Sequence, residues 1–303
     1  MMEIPEVFVE RVAGVVGACA VDNSLFAKPE TIAATGFASR RVVSPDTTLF
    51  DIFLKAARRA LMDVGSDGIC GIVVATFSGE ERFPAYSVRL ASALGISTAV
   101  PAVDLQMACS AYPYALYVAG RMAADLGGRV LVVNGDIQSR LSDLSDDKVA
   151  PLFSDAATAS VVSASEKGIS RFSFLSKASD ALSCPIAGPI TMDGFKVFSF
   201  VATDVSKILR EFGSDFDFFI PHQANMYMVR QLAKSLGLEG ALVTCGAEFA
   251  NPGSCSIPLA LASRKLAGRA LVCGFGAGFS ASAGVVRVMD DACVGVVDSD
   301  CEA

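Results

Sequence analysis

Tryptophan is absent from this 303-residue chain, and histidine occurs once, at His222. Paired cysteines are missing too: nine occur, an odd number, with no C-x-x-C pair and no zinc-ligand spacing. That pattern excludes a disulfide framework and a structural metal site, and it reads as a reduced, cytoplasmic protein. No apolar run reaches the roughly 20 residues a membrane span needs, so no membrane partner is expected. Glu3, Glu6 and Glu10 stand where a basic leader would begin, so no signal peptide is expected. Long basic runs are lacking, and 25 Lys and Arg against 32 Asp and Glu leave a net charge of −7. Nucleic acid is therefore a poor partner, and small molecules remain.

What is present is apolar and small. Hydrophobic residues make up 52% of the chain and glycine occurs 26 times, which suits closely packed α/β layers. The length allows one large core or two halves that pack together. A first strand is predicted over residues 11–19, and a helix from about Thr48 to Val64 capped by Asp46. A buried strand follows at Ile69 to Thr76, then a helix from Ala85 to Leu94 ending at Gly95. Alternation over Ala102, Val103, Leu105 and Met107 leads into Cys109, and helical spacing then runs to about Ala124. Val130 to Val133 is too apolar to be anything but a central strand.

The second half repeats this plan. A helix from Phe198 to Phe212 ends at Gly213, and a strand spans Phe216 to Ile220. His222 then opens a loop-to-helix segment ending in Ser235-Leu236-Gly237, to be compared with Ala93-Leu94-Gly95. Fourteen residues separate Gly95 from Cys109, and fourteen separate Gly237 from Asn251. A helix follows each, from about Cys255 to Leu266 in the second half, and then Gly128-Arg129 or Gly268-Arg269 opens a strand. Shared spacing at several landmarks predicts two similar halves, 1–166 and 167–303, about a pseudo-twofold axis. Such an axis would bring Cys109 and Asn251 to one site.

Three side chains could do chemistry there. Cys109 lies where a strand gives way to a helix, and amide N–H groups at a helix start favour an anion, so its thiol should ionise readily. Taken alone it could equally be one more small buried residue. His222 follows a strand end, where ligands gather in open α/β sheets, although a lone histidine is often structural. Asn251 stands in Asn251-Pro252-Gly253-Ser254, which is also good turn chemistry. The run Cys273 to Ser280 is glycine-rich but lacks a phosphate-binding pattern, so its small residues suit close approach to a carbonyl. Together these suggest acyl transfer. A thiolate attacks a thioester, N–H groups at Cys109 and Ala277 hold the oxyanion, and His222 and Asn251 bond a second carbonyl. Loss of CO₂ from a malonyl unit would then supply the carbanion, without metal or redox cofactor.

At these residues the chain resembles the β-ketoacyl-acyl carrier protein synthase III family of thiolase-like condensing enzymes. The resemblance rests on Ala108-Cys109-Ser110-Ala111, on Ile220-Pro221-His222-Gln223-Ala224-Asn225 and on Asn251 to Pro258. Gly274 to Phe279, Phe153 to Ala157 and Thr35 to Arg40 fit further landmarks. It implies a thiolase-like fold of two βαβ-rich halves in five αβαβα layers, with Cys109 carrying the acyl group. His222 and Asn251 would serve decarboxylation and condensation, and Asn225 and Gly276 would contact substrate. The implied partners are coenzyme A or acyl carrier protein thioesters, acyl carrier protein itself and a second copy of the chain. Phe83-Pro84 would reach over the partner's acyl pocket. Phe77, Tyr86, Tyr112, Met192 and Phe198 are further candidates for the pocket wall.

The chain also departs from the family. Glu30, Asp147 and Lys148 fall near the positions of a Trp and Arg that sandwich adenine in members using acyl-CoA. Ser199 and Tyr227 replace two basic carrier-docking positions, while Lys234 matches a third, and Pro252 stands where a small residue is usual. These differences favour a specialised pathway. Three other readings compete: acyl transfer to an alcohol or amine, a papain-like protease, and a non-catalytic subunit that kept the fold.

Overall fold

The structure is a computed structural model, and it describes residues 1–300. The chain opens with β1 (Met2–Val16), far longer than the strand predicted at 11–19, and a small ribbon, β2 (Cys19–Asp22). Helix α1 (Pro29–Thr35) and β3 (Ser39–Val42) follow, β3 pairing with β2. Helix α2 (Leu49–Leu61) starts at Thr48, not Asp46. Thr48 Oγ1 accepts the Asp51 N–H at 3.2 Å and the Asp51 carboxylate accepts the Thr48 N–H at 2.9 Å. Such a capping box is worth about 0.5–2 kcal/mol, and Asp46 makes no comparable pair.

Three more elements complete the first βαβ plan: β4 (Ile69–Ala75), α3 (Tyr86–Ala93) and β5 (Ala102–Leu105). Helix α4 (Ala111–Leu126) and β6 (Arg129–Asp136) follow. Strand β7 (Ala156–Ser179) is 24 residues long and carries the chain from the first half into the second. The expected boundary at 166/167 falls inside it. A short hairpin, β8 (Leu182–Ser183) and β9 (Thr191–Met192), leads to α5 (Gly194–Phe200). One π turn joins α5 to α6 (Ser206–Arg210). The remainder is β10 (Phe218–Pro221), α7 (Met226–Leu236), α8 (Gly246–Phe249), α9 (Ser256–Ser263), β11 (Gly268–Gly276), β12 (Gly278–Val288) and β13 (Cys293–Asp298).

The repeat expected from spacing is visible in the pairing. In the first half β4 runs parallel to β6, and β6 is antiparallel to β7. In the second half β10 runs parallel to β11, and β11 is antiparallel to β12. Helices α3 and α7 are both followed by a left-handed glycine, Gly95 (φ 65°) and Gly237 (φ 69°), a conformation that other residues adopt at a cost. Nine of the strands join in one hydrogen-bonded network, eight along a path and β13 branching from β1, because β1 and β7 pair with strands of both halves.

Side-chain alternation along the strands builds three cores and hence five layers. Leu131 and Val133 face outward, onto Ile52 and Phe53 of α2 and Leu90 of α3. Val130, Val132 and Val272 face inward, onto Leu116 of α4 and Ile257 and Leu259 of α9. Leu271 and Phe275 face the other outer layer, with Phe200, Leu209 and Leu232 of the helices α5 to α7. The thiolase-like αβαβα arrangement is thus present. Among the described residues no helix is long and apolar enough to cross a membrane.

Candidate active site

The two central helices are entered by the same device. Past β5, Ala108 adopts φ +43°, and a 3₁₀ turn over Ala108–Ser110 leads into α4. Past α8, Ala250 adopts φ +52°, Asn251 follows, and a 3₁₀ turn over Gly253–Cys255 leads into α9. A left-handed alanine costs about 1–3 kcal/mol and persists only where its surroundings hold it. Here one precedes Cys109 and the other precedes Asn251. The strain therefore aims both residues inward.

Cys109 is 6% exposed. Its turn is held by Ser110 Oγ, 2.8 Å from the Met107 carbonyl oxygen and 2.6 Å from Ser280 Oγ. Strand β11 passes directly against it. A Cβ on Gly274 would lie 2.8 Å from Ser110 Cα, and one on Gly276 would lie 3.1 Å from Cys109 Cβ. The glycine run therefore lets a strand pack on the nucleophile turn, a role its composition alone does not reveal.

Each polar residue of Pro221-His222-Gln223-Ala224-Asn225 has a partner. The His222 N–H donates to the Cys273 carbonyl at 2.7 Å, extending the β10–β11 ladder. The ring's Nδ1 lies 2.8 Å from Ser256 Oγ, and its plane stands edge-on to Phe275 at 5.3 Å. Gln223 Nε2 donates to the Pro221 carbonyl at 2.6 Å, and its Oε1 accepts the Cys245 N–H at 3.2 Å. Asn225 Oδ1 caps α7 by accepting the Met228 N–H at 2.7 Å. Asn251 Oδ1 accepts the Gly253 N–H at 3.0 Å, and its Nδ2 donates to the Ala224 carbonyl at 3.4 Å. That leaves one amide hydrogen and the far nitrogen of His222 for a ligand.

Cys109, His222 and Asn251 line one cavity of about 70 Å³, together with Asn225 and Gly276. Cys109 also lines a second cavity of about 550 Å³, whose walls include Phe77, Gln138, Leu182, Ala277 and Phe279. Phe153 and Leu182 line both cavities as well, and Cys109 is the nucleophile among the three shared residues. Phe83 and Phe198 line neither cavity of this chain. Phe83 is 83% exposed, whereas Phe198 stacks outside on Tyr227 at 6.2 Å, and its neighbour Val197 takes the wall position. Tyr86 and Tyr112 belong to the cores: Tyr86 packs edge-on to Phe53 at 5.4 Å, and the Tyr112 hydroxyl lies 3.0 Å from Ser160 Oγ. Met192 is in the smaller wall. Ser256 and Gln138 escape sequence reasoning, since only contacts 34 and 113 residues away give them a role.

Burial governs the electrostatics. It pushes the Cys109 thiol up to about 12, with buried Asp136 adding to the rise. The prediction that the helix start makes this thiol acidic is reversed, because desolvation of the anion outweighs the dipole. Burial also lowers His222 to about 3, opposed by the Gly253 backbone. Asp136 rises to about 6 for the same reason, although Thr76 Oγ1 and the Phe77 and Ser78 N–H groups all donate to its Oδ1. The resting pair is a neutral thiol and a neutral imidazole, so the thiol loses its proton only on attack. Alkylation of Cys109 by iodoacetamide should accordingly stay slow through pH 8.5 and climb above it. Peptide mass spectrometry against pH measures this, and a plateau reached below pH 8 would contradict it.

Comparison with known proteins places both cavity halves in one context. The family description "3-Oxoacyl-[acyl-carrier-protein (ACP)] synthase III" matches residues 103–180, and its C-terminal counterpart matches 213–288. The first span holds Cys109; the second holds His222 and Asn251. A β-ketoacyl-[acyl-carrier-protein] synthase III of Shewanella oneidensis is 31% identical over 283 residues, 84% of this chain and 88% of the relative. One from Lactobacillus delbrueckii subsp. bulgaricus is 31% identical over 284 residues, with the same two coverages. Among solved structures, the priming β-ketosynthase of the R1128 polyketide pathway superposes with a TM-score of 0.86 at 31% identity, covering 95% of this chain and 98% of that one. The 3-oxoacyl-(acyl carrier protein) synthase III of Pseudomonas aeruginosa PAO1 gives 0.84 at 28% identity, over 94% and 98%.

Proposed function

The chain belongs to the β-ketoacyl-acyl carrier protein synthase III family, and we propose that Cys109, His222 and Asn251 are the residues through which it works. It is an acyltransferase that catalyses decarboxylative Claisen condensation in fatty acid or polyketide synthesis. The observation that carries the assignment of residues is the position of Cys109, at the meeting point of the 70 Å³ and 550 Å³ cavities. The larger cavity takes the acyl chain. The smaller one takes the thioester arm of each substrate in turn.

In the first step Cys109 Sγ attacks the acyl thioester carbonyl, and the backbone N–H groups of Cys109 and Ala277 hold the oxyanion. His222 takes the thiol proton on its free nitrogen and returns it to the departing thiol. The Ser256 hydroxyl can accept from Nδ1–H or donate to Nδ1, so it supports either neutral tautomer. For the second step His222 exchanges protons with solvent to the tautomer that carries its hydrogen on the free nitrogen, and that N–H and the free Nδ2–H of Asn251 donate to the malonyl thioester carbonyl. The bond to the carboxylate breaks, CO₂ leaves, and the resulting enolate carbon attacks the acyl carbonyl. Collapse expels the Cys109 thiolate, which takes one proton from solvent, and frees the β-ketoacyl thioester. No cofactor beyond the coenzyme A or carrier thioester enters this scheme.

The reading extends to partners. On this reading exposed Phe83 reaches over the larger cavity of a second copy in a homodimer, and acyl carrier protein delivers the malonyl unit in the cytoplasm. Glu30 and Tyr227, where adenine-stacking and basic residues are usual, favour a carrier-bound primer in a specialised pathway. The test is CO₂ release from a malonyl thioester, with and without a panel of acyl thioesters. Release coupled to a β-ketoacyl product supports the scheme; acyl transfer to an alcohol or amine without CO₂ would replace it.

A further inference from the structure

Gln138 opens the turn after β6 and is 1% exposed, yet it lies in the wall of the larger cavity. A buried amide must place its donors, and both N–H groups of Gln138 go to the same joint. Nε2 donates to the Ser154 carbonyl at 2.9 Å and to the Asn251 carbonyl at 3.2 Å. Those two carbonyls belong to the one point where the first-half chain pairs with the segment carrying Asn251. There the Ser154 N–H donates to the Asn251 carbonyl at 3.0 Å, and the Asn251 N–H donates to the Leu152 carbonyl at 3.1 Å. The amide therefore clips the two halves together across the active site.

A second contact reaches the same asparagine. The Gly253 N–H holds Asn251 Oδ1 at 3.0 Å, and Gly253 packs so closely on the Gln138 amide that a Cβ would lie 3.2 Å from both Nε2 and Oε1. Gln138 thus bears on the backbone of Asn251 and on the glycine that sets its carboxamide. Cys109 is held by other groups, namely Ser110, Ser280 and the β11 glycines.

We infer that Gln138 is a positioning residue for the condensation step: it sets the Asn251 carboxamide for the malonyl carbonyl. The inference rests on the proposed function, because it assigns Asn251 to the second half-reaction.

Gln138→Leu keeps the volume of the wall and removes both donors. With the full-length enzyme, acyl transfer to Cys109 is followed by intact mass, and CO₂ release from a malonyl thioester is followed separately. Because Gln138 also lines the cavity that takes the acyl chain, the enzyme is first loaded to completion; CO₂ release and product formation per acylated enzyme should then fall about 10- to 100-fold, the cost of a small misplacement of a donor. Gln138→Glu adds a readout that packing alone does not move. Ionised, it repels the two carbonyls; protonated, it restores one donor, so its CO₂ release should recover relative to wild type as pH falls. Unchanged CO₂ release per acylated enzyme in the leucine variant, or a pH-insensitive glutamate variant, would each overturn the inference. Should the leucine variant not fold, the glutamate variant decides. A wild-type enzyme that acylates Cys109 but never releases CO₂ overturns the proposed function itself, and that outcome is distinct from the variant results.

Discussion

Cys109→Ala is expected to abolish the acyl-enzyme and to lower β-ketoacyl product formation by roughly a thousandfold or more, the order lost when a nucleophile is removed. The fold should survive, because alanine fits inside the volume of cysteine and the turn is held by the Ser110 hydroxyl with Met107 and Ser280, not by the sulfur. Thermal unfolding within a few degrees of wild type checks that. The remaining thiols are poor substitutes. Burial pushes Cys245 up to about 12 and raises Cys255 and Cys273 further. Cys184 is the rival to watch, since it is the one other cysteine lining the larger cavity among the described residues. Intact mass after incubation with an acyl thioester, followed by peptide mapping, separates the two. An adduct that persists on Cys184 in the alanine variant, with product formation retained, would transfer the nucleophile's role to that residue.

Much of this site was legible because the chain writes its plan twice. The Gly95-to-Cys109 and Gly237-to-Asn251 intervals survive folding as two helix ends and two strained entries to the central helices. Local signals of that kind are set by neighbours in sequence, so periodicity and turn chemistry report them. Strand β7 is not legible: serines and charged residues interrupt the apolar positions of its second part, and pairing with the distant strands β1 and β12 makes it a strand. The start of α5 was placed late for a similar reason, because the cap is Asp193, whose carboxylate accepts the Lys196 N–H at 3.1 Å before the apolar spacing begins. The acidity of Cys109 was misjudged because a helix start is visible in sequence and burial among distant residues is not. Ser256 and Gln138 belong to the same class, being ordinary polar residues until the second half folds onto the first.

Asn251 and His222 should separate the two half-reactions. Asn251→Ala removes a donor from the malonyl carbonyl, and loss of one such donor costs roughly 10²–10³ in rate. It also removes the acceptor for the Gly253 N–H, so Asn251→Asp is the cleaner variant: the oxygen that accepts at 3.0 Å can remain while the Nδ2 donor is lost. Both variants should still load an acyl group on Cys109 at near wild-type rate, because Asn251 makes no bond to the nucleophile turn. His222→Ala is expected to slow loading as well, since a thiol raised to about 12 has no other base in the cavity to take its proton. The order of effects is therefore the discriminating result: asparagine variants stall after acylation and accumulate acyl-enzyme, whereas the histidine variant stalls before it. An asparagine variant that fails to acylate, or a histidine variant that acylates normally, would mean that the donors and the base have been assigned to the wrong steps.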